Sequence, residues 1–93
     1  MNIPDLILLR KKLHQNPELS GNEHRTSGRI VDVIRKFKPD QIIENLGGYG
    51  IALIFNPASL KYDKTVLFRA ELDALPLSEE TELPYRSKSG TFF

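Results

Sequence analysis

The sequence contains no cysteine, and its charges nearly cancel, leaving a net charge of +1. Without cysteine, the chain has neither a disulfide framework nor a cysteine-based metal site. A near-neutral chain also argues against a large footprint on nucleic acid or on an anionic membrane. We therefore expect no nucleic-acid partner and no membrane partner.

Long apolar runs are missing as well. The first apolar cluster, residues 7–9, is far too short to cross a membrane, and the basic residues 10–12 follow it. A secretory signal has its basic residues first. These absences predict a soluble, cytoplasmic protein. With 93 residues the chain is at most one small domain. Because it stops on Phe92 and Phe93, an apolar end, we expect residues 1–93 to be part of a longer protein, with no separate second domain in this chain.

Helical spacing of apolar residues predicts two amphipathic helices in the first part of the chain. The first ends before Pro17, since proline disfavours the α region in the residue before it. A capping box of Ser20 and Glu23 introduces the second, and Pro39 closes it. The apolar or small face of the second helix consists of Ser27, Ile30, Val31, Ile34 and Phe37.

After Pro39 the pattern becomes that of β-strands. Residues 41–44, 51–55 and 65–70 are predicted strands, and the glycines of residues 47–50 suit a turn with positive φ. A polar loop covers 56–63, and 73–93 read mainly as loop. The order helix-helix-strand-strand-strand indicates an α/β fold with a mixed sheet.

Glu71 and Asp73 directly follow the third predicted strand. Open α/β sheets carry their active sites at the carboxyl ends of strands, and a buried charge is costly unless it is paired or binds a metal. On a continuing strand the two carboxylates share one face, about 6.6 Å apart at about 3.3 Å per residue. They are candidates for binding a divalent cation, orienting a metal-bound histidine, or acting as acid and base. The alternative is a solvated strand end with Arg69 as the local partner.

The two histidines carry weaker signals. His14 lies at the end of the first predicted helix, where a cap or a partner of the helix dipole is the more common role. His24 lies in the first turn of the second helix and is expected to be exposed. The sequence has no His-Glu-x-x-His and no Gly-x-Ser-x-Gly motif.

Three segments together resemble a known family. Residues 10–20 (Arg-Lys-Lys-Leu-His-Gln-Asn-Pro-Glu-Leu-Ser), followed by Glu23 and Thr26, resemble the opening of the metal-dependent amidohydrolases of the aminoacylase, hippurate hydrolase and indoleacetyl-amino-acid hydrolase group. Residues 47–52 resemble that family's glycine-rich turn into a core strand. The next family block is matched by residues 69–77, then Glu79, 84–85 and 87–90.

The resemblance implies a three-layer α/β/α, metallopeptidase-like catalytic domain that holds two divalent metal ions, usually zinc, manganese or cobalt. It implies hydrolysis of the amide bond of an N-acyl amino acid or related amide, a small-molecule substrate, by a family that is often homo-oligomeric. In such enzymes a metal-bridged water attacks the carbonyl carbon and a glutamate acts as general base.

Carried over by position, Asp73 matches the family's aspartate that supports the metal site from outside its ligand set. Glu71 stands where this branch usually has aspartate and other branches have a metal-binding histidine, so whether it touches metal stays open. The resemblance gives His14 no catalytic role; holding the helix end against the site is the expected one.

The family's Cys-Gly-His-Asp-Gly-His block, which supplies metal ligands, would come just after residue 93. We therefore expect no metal bound by this chain alone, and no activity. Two alternatives remain: a non-catalytic small α+β interaction module or degenerate remnant, and a metallopeptidase acting on short peptides.

Overall fold

The computed structural model describes residues 2–57 and 64–93, so the loop predicted over 56–63 lies largely outside the described part. Helix α1 spans Ile3–Gln15. The side chain of Asn2 accepts the Asp5 N–H and the Asp5 carboxylate accepts the Asn2 N–H, each at 3.1 Å. This reciprocal capping box satisfies two amide groups that would otherwise lack partners at the helix start. The helix ends before Pro17, as predicted.

Helix α2 spans His24–Ile34 and continues as a 3₁₀ turn, Arg35–Phe37. The capping box predicted for Ser20 and Glu23 does not form, because the Glu23 carboxylate accepts the Gly21 N–H instead. The cap comes from Glu18. Its Oε1 accepts the backbone N–H of Thr26 at 2.5 Å and the Thr26 hydroxyl at 2.8 Å. A carboxylate at this position also interacts favourably with the helix dipole.

Removing this cap is expected to destabilise the chain. We expect Glu18→Ala to lower the free energy of unfolding by about 1 kcal/mol, the usual cost of losing an N-terminal cap. Glu82→Ala is the matched control, because Glu82 is exposed in a loop. Urea unfolding followed by circular dichroism measures both, and equal losses in the two variants would contradict the capping role.

The strands form an antiparallel hairpin of β1, Gln41–Leu46, and β2, Gly50–Ile54. The turn between them uses positive φ at Gly47 (59°) and Gly48 (119°), as the sequence predicted. Gly50 is required for a different reason. A Cβ atom there would lie 2.5 Å from the Leu46 carbonyl oxygen, closer than any side chain can sit.

The third predicted strand is not confirmed. Residues 65–70 form no strand, and Val66, Leu67 and Phe68 are 74%, 87% and 91% exposed. A strand persists only where a neighbour completes its hydrogen bonds, and the only strand pair among the described residues is the antiparallel pair of β1 and β2. The mixed sheet is therefore not confirmed either. What the described residues show is two helices and one hairpin, compatible with part of an α/β fold.

Buried apolar packing is small. Among the described residues, Val31 of α2 is the one buried hydrophobic side chain, at 3% exposure, and its helix contacts β2. None of the helices in residues 2–57 and 64–93 has the length and apolar character needed to cross a membrane.

The segment 75–93 contains no helix or strand, in agreement with the predicted loop. Backbone hydrogen bonds nevertheless fix it at two points. The Lys88 N–H donates to the Gln15 carbonyl at the end of α1, at 2.9 Å. Leu75 and Phe93 exchange two bonds, of 2.7 and 3.1 Å, which close the segment into a loop.

Candidate functional site

The three segments that carry the family resemblance meet around residues 69–74. A hollow of about 350 Å³ is lined by all three. The first segment contributes Ser20 and Glu23, the glycine turn contributes Gly47, Tyr49 and Gly50, and the third contributes residues 69–73. Segments far apart in sequence thus line one shallow hollow.

A second hollow, of about 320 Å³, also borders Glu71 and Asp73. It is lined in addition by His14 at the end of α1, by Thr26 in α2 and by Phe93. The two predicted carboxylates therefore border both hollows, and His14 lines the second.

Glu71 lies in solvent beside Arg69, as the alternative interpretation of a solvated strand end predicted. Its Oε1 lies 3.5 Å from an Arg69 guanidinium nitrogen, and both side chains are largely exposed. An ion pair in water contributes little to stability, because solvent and salt screen it. Nothing in the described residues draws Glu71 toward a buried partner.

Asp73 is also exposed, but the backbone beside it is fixed. The N–H of Ala74 donates to the Glu18 carbonyl at 2.8 Å, and Ala74 pairs with Leu19 in a parallel bridge. Glu18 thus does two things: its carboxylate caps α2 and its carbonyl holds the chain next to Asp73. The position of Asp73 is set by the link between the two helices.

A buried carboxylate for which the sequence predicted no role, that of Glu79, contacts His14, one of the residues lining the second hollow. The side chain of Glu79 is 1% exposed, and its Oε1 accepts the Ser87 N–H at 2.6 Å. The same oxygen lies 3.0 Å from Nε2 of His14, while Oε2 accepts the hydroxyl of Thr81. Arg86 donates to the Glu79 carbonyl at 2.7 Å.

These contacts explain the ionisation of Glu79. The Ser87 amide, followed by the Thr81 hydroxyl, stabilises the charged form and lowers the pKa of Glu79 below its ordinary value of 4.5. Burial opposes that change, and His14 adds to it. Because an ionised carboxylate only accepts hydrogen bonds, Nε2 of His14 must carry a proton in this contact.

The two histidines lie where the sequence predicted. His24 is the first residue of α2 and is mostly exposed, with Nδ1 3.6 Å from Glu18 and its ring 5.8 Å from that of Tyr49. His14 lies in the last turn of α1. Its partner, Glu79, is 65 residues away in sequence. Only the family match pointed to Glu79, and nothing in the local pattern linked it to His14.

The described residues do not by themselves fit a metal centre. Nowhere in 2–57 and 64–93 do three histidine, aspartate or glutamate side chains converge as a ligand set. Glu71 and Asp73 border the hollows without a third ligand beside them.

Comparison with known proteins identifies the relatives. The chain is 37% identical over 83 residues to thermostable carboxypeptidase 1 of Saccharolobus solfataricus, covering 89% of this chain and 21% of that protein. It is 36% identical over 85 residues to N-acetyldiaminopimelate deacetylase of Halalkalibacterium halodurans, covering 91% and 22%. The chain is therefore similar to an N-terminal portion of amidohydrolases and metallopeptidases.

The family resemblance seen in the sequence is thereby confirmed. A further member, the N-acetyldiaminopimelate deacetylase of Listeria monocytogenes, is 34% identical over 84 residues, covering 90% of this chain and 22% of that protein. The chain spans about a fifth of the length of these relatives and matches an N-terminal portion of them. No family model and no solved structure matches the chain.

Proposed function

We propose that residues 1–93 are the N-terminal part of the catalytic domain of a metal-dependent amidohydrolase that cleaves the amide bond of N-acyl amino acids or related amides. The observation that carries this proposal is the shared hollow of about 350 Å³, which all three family segments line. Relatives named as a deacetylase and a carboxypeptidase support a hydrolase that acts on small amides.

The complete domain is proposed to be a three-layer α/β/α fold holding two divalent ions, zinc, manganese or cobalt, on ligands outside this chain. Bound metal would supply the polarised carbonyl and the activated water of such hydrolases. The exposed apolar residues Val66, Leu67 and Phe68 support the larger fold, since a strand of that composition needs cover on both faces.

In this proposal Asp73 supports the metal site without being a metal ligand itself. Its place at the rim of both hollows and the fixed backbone beside it support this role. Glu71 borders the same hollows but is paired with Arg69 in solvent, so its assignment to the site is secondary.

The test is a hydrolysis screen of the full-length protein, with and without added zinc, manganese or cobalt. N-acyl amino acids, N-acetyldiaminopimelate among them, form one panel, and short peptides with a free carboxyl end form the other. Metal-dependent release of the amine from the first panel is the expected result. Preference for the second panel would favour a peptidase, the alternative suggested by the carboxypeptidase relatives.

The same screen is run on the 93-residue chain, for which we expect no hydrolysis and no stoichiometric metal. Measurable hydrolysis or tightly bound metal in that chain would contradict the proposal that the metal ligands lie outside residues 1–93. A full-length protein without hydrolysis on either panel would favour a non-catalytic module.

A further inference from the structure

The buried Glu79 is connected to Asp73 by an unbroken series of contacts. Ser87, whose N–H binds the Glu79 carboxylate, donates its hydroxyl to the Phe92 carbonyl at 2.8 Å. The next residue, Phe93, exchanges two backbone hydrogen bonds with Leu75. Leu75 is two residues from Asp73.

A second connection runs through α1. The His14 ring binds the Glu79 carboxylate at 3.0 Å and meets the Phe93 ring edge-on, with centroids 5.8 Å apart. Beside it, Lys88 donates to the Gln15 carbonyl at 2.9 Å. Glu79 thus contacts the end of α1 directly and is linked to the closed ends of the 75–93 loop through Ser87 and His14.

From these contacts we propose that Glu79 is a positioning residue, whose carboxylate fixes the His14 ring and the 75–93 loop and thereby holds Asp73 at the rim of the two hollows. The role of Asp73 in this inference rests on the proposed function. The link from Glu79 to the backbone beside Asp73 rests on the observed contacts alone. A buried carboxylate leaves little freedom to its partners, because each hydrogen bond it loses leaves a desolvated group unsatisfied.

The linkage depends on the charge of Glu79. The titratable group that contacts its carboxylate is His14 from α1, while Arg86 of the same loop donates to the Glu79 backbone carbonyl. Tyr85 packs against His14, with its ring centroid 4.9 Å from the Lys11 ammonium. Because the pKa of Glu79 is lowered in the folded chain, its contribution to stability is complete above about pH 4.5. It is lost as the pH falls from 4.5 through the lower folded value.

The test is amide hydrogen exchange by NMR on the full-length protein, with Glu79→Gln and, as the matched control, the exposed neighbour Glu80→Gln. We expect Glu79→Gln to lower the protection factors of the Ala74 and Lys88 amides about tenfold or more, the scale set by losing a hydrogen bond to a charged group. Glu80→Gln should leave both unchanged. Nitrogen shifts of the His14 ring should show the proton on Nε2 in the wild type and a tautomer mixture in Glu79→Gln.

A measurement on the wild-type chain keeps the test independent of how the variants fold. The Ala74 protection factor should fall as the pH is lowered below 4.5, together with that of Lys88. An Ala74 amide that keeps its protection in Glu79→Gln would overturn the proposed link between Glu79 and Asp73. So would an Ala74 amide that stays protected in acid while the Lys88 amide loses its protection. So would a His14 ring whose Nε2 carries no proton at neutral pH. None of these readouts needs substrate, so a missing hydrolytic activity would refute the proposed function and leave this inference standing.

Discussion

Asp73→Asn in the full-length protein is expected to lower kcat/KM for acyl-amino-acid hydrolysis about 10- to 100-fold, the usual effect of losing a group that orients metal ligands. Asparagine keeps the shape of the side chain and removes its charge. Because Asp73 is exposed in the described structure, the substitution costs no buried partner, and the fold should remain intact. Steady-state kinetics at saturating metal are measured together with the metal content. This separates a loss of bound metal from a loss of rate in the metal-loaded enzyme.

The matched control is Asp32→Asn, which changes the same group at an exposed position of α2 that borders neither hollow around 69–74. We expect wild-type kinetics from it. Glu71→Gln should have a smaller effect than Asp73→Asn, because the Glu71 carboxylate is already satisfied by Arg69 in solvent. Equal kinetics for Asp73→Asn and Asp32→Asn would contradict the assigned role of Asp73.

The parts of the fold that the sequence predicted well are those with local causes. Pro17 ends α1 because it restricts the residue before it, and the 47–50 turn forms because glycine tolerates positive φ. The exposure of His24 follows from its position in the first turn of an amphipathic helix. Each of these signals acts over a few residues, so the neighbouring sequence is enough to determine it.

The features that the sequence missed depend on distant partners. The apolar residues 65–70 have the composition of a strand, but pairing requires a neighbour that the described residues do not supply. The α2 cap was assigned to Ser20 because it has the usual spacing, yet Glu18, further upstream, takes the Thr26 amide. A carboxylate on a longer arm reaches the same amide from outside the standard motif.

The residues of the candidate site also differ in whether a local sequence signal points to them. Asp73 and Glu71 are candidates because charge follows an apolar run, a feature visible in the sequence. Glu79 is more deeply buried than either, but it lies in a polar loop where burial has no sequence signal. Its partner His14 belongs to another element, and no periodicity relates the two. The family match brought both residues into view without showing that they touch.

The small apolar core makes Val31 the position at which a minimal change should cost most stability. Val31→Ala removes two carbons from the one hydrophobic side chain that is buried in the described part of the chain. At about 0.8 kcal/mol per carbon, with a further penalty for the cavity, we expect a loss of about 2 kcal/mol. Domains of this size are stable by about 5 kcal/mol at the low end, so the loss is a large fraction of the total.

Val66→Ala is the control, since it makes the same change at a side chain that is 74% exposed. Urea unfolding of the 93-residue chain should shift strongly to lower denaturant for Val31→Ala and hardly at all for Val66→Ala. The reverse order would mean that the Val66 side chain is packed in solution, as the third strand predicted from the sequence requires. The pair of variants therefore measures which apolar segment stabilises this chain: the α2 face that contacts β2, or the 65–68 run, for which the larger catalytic domain is proposed to provide the cover.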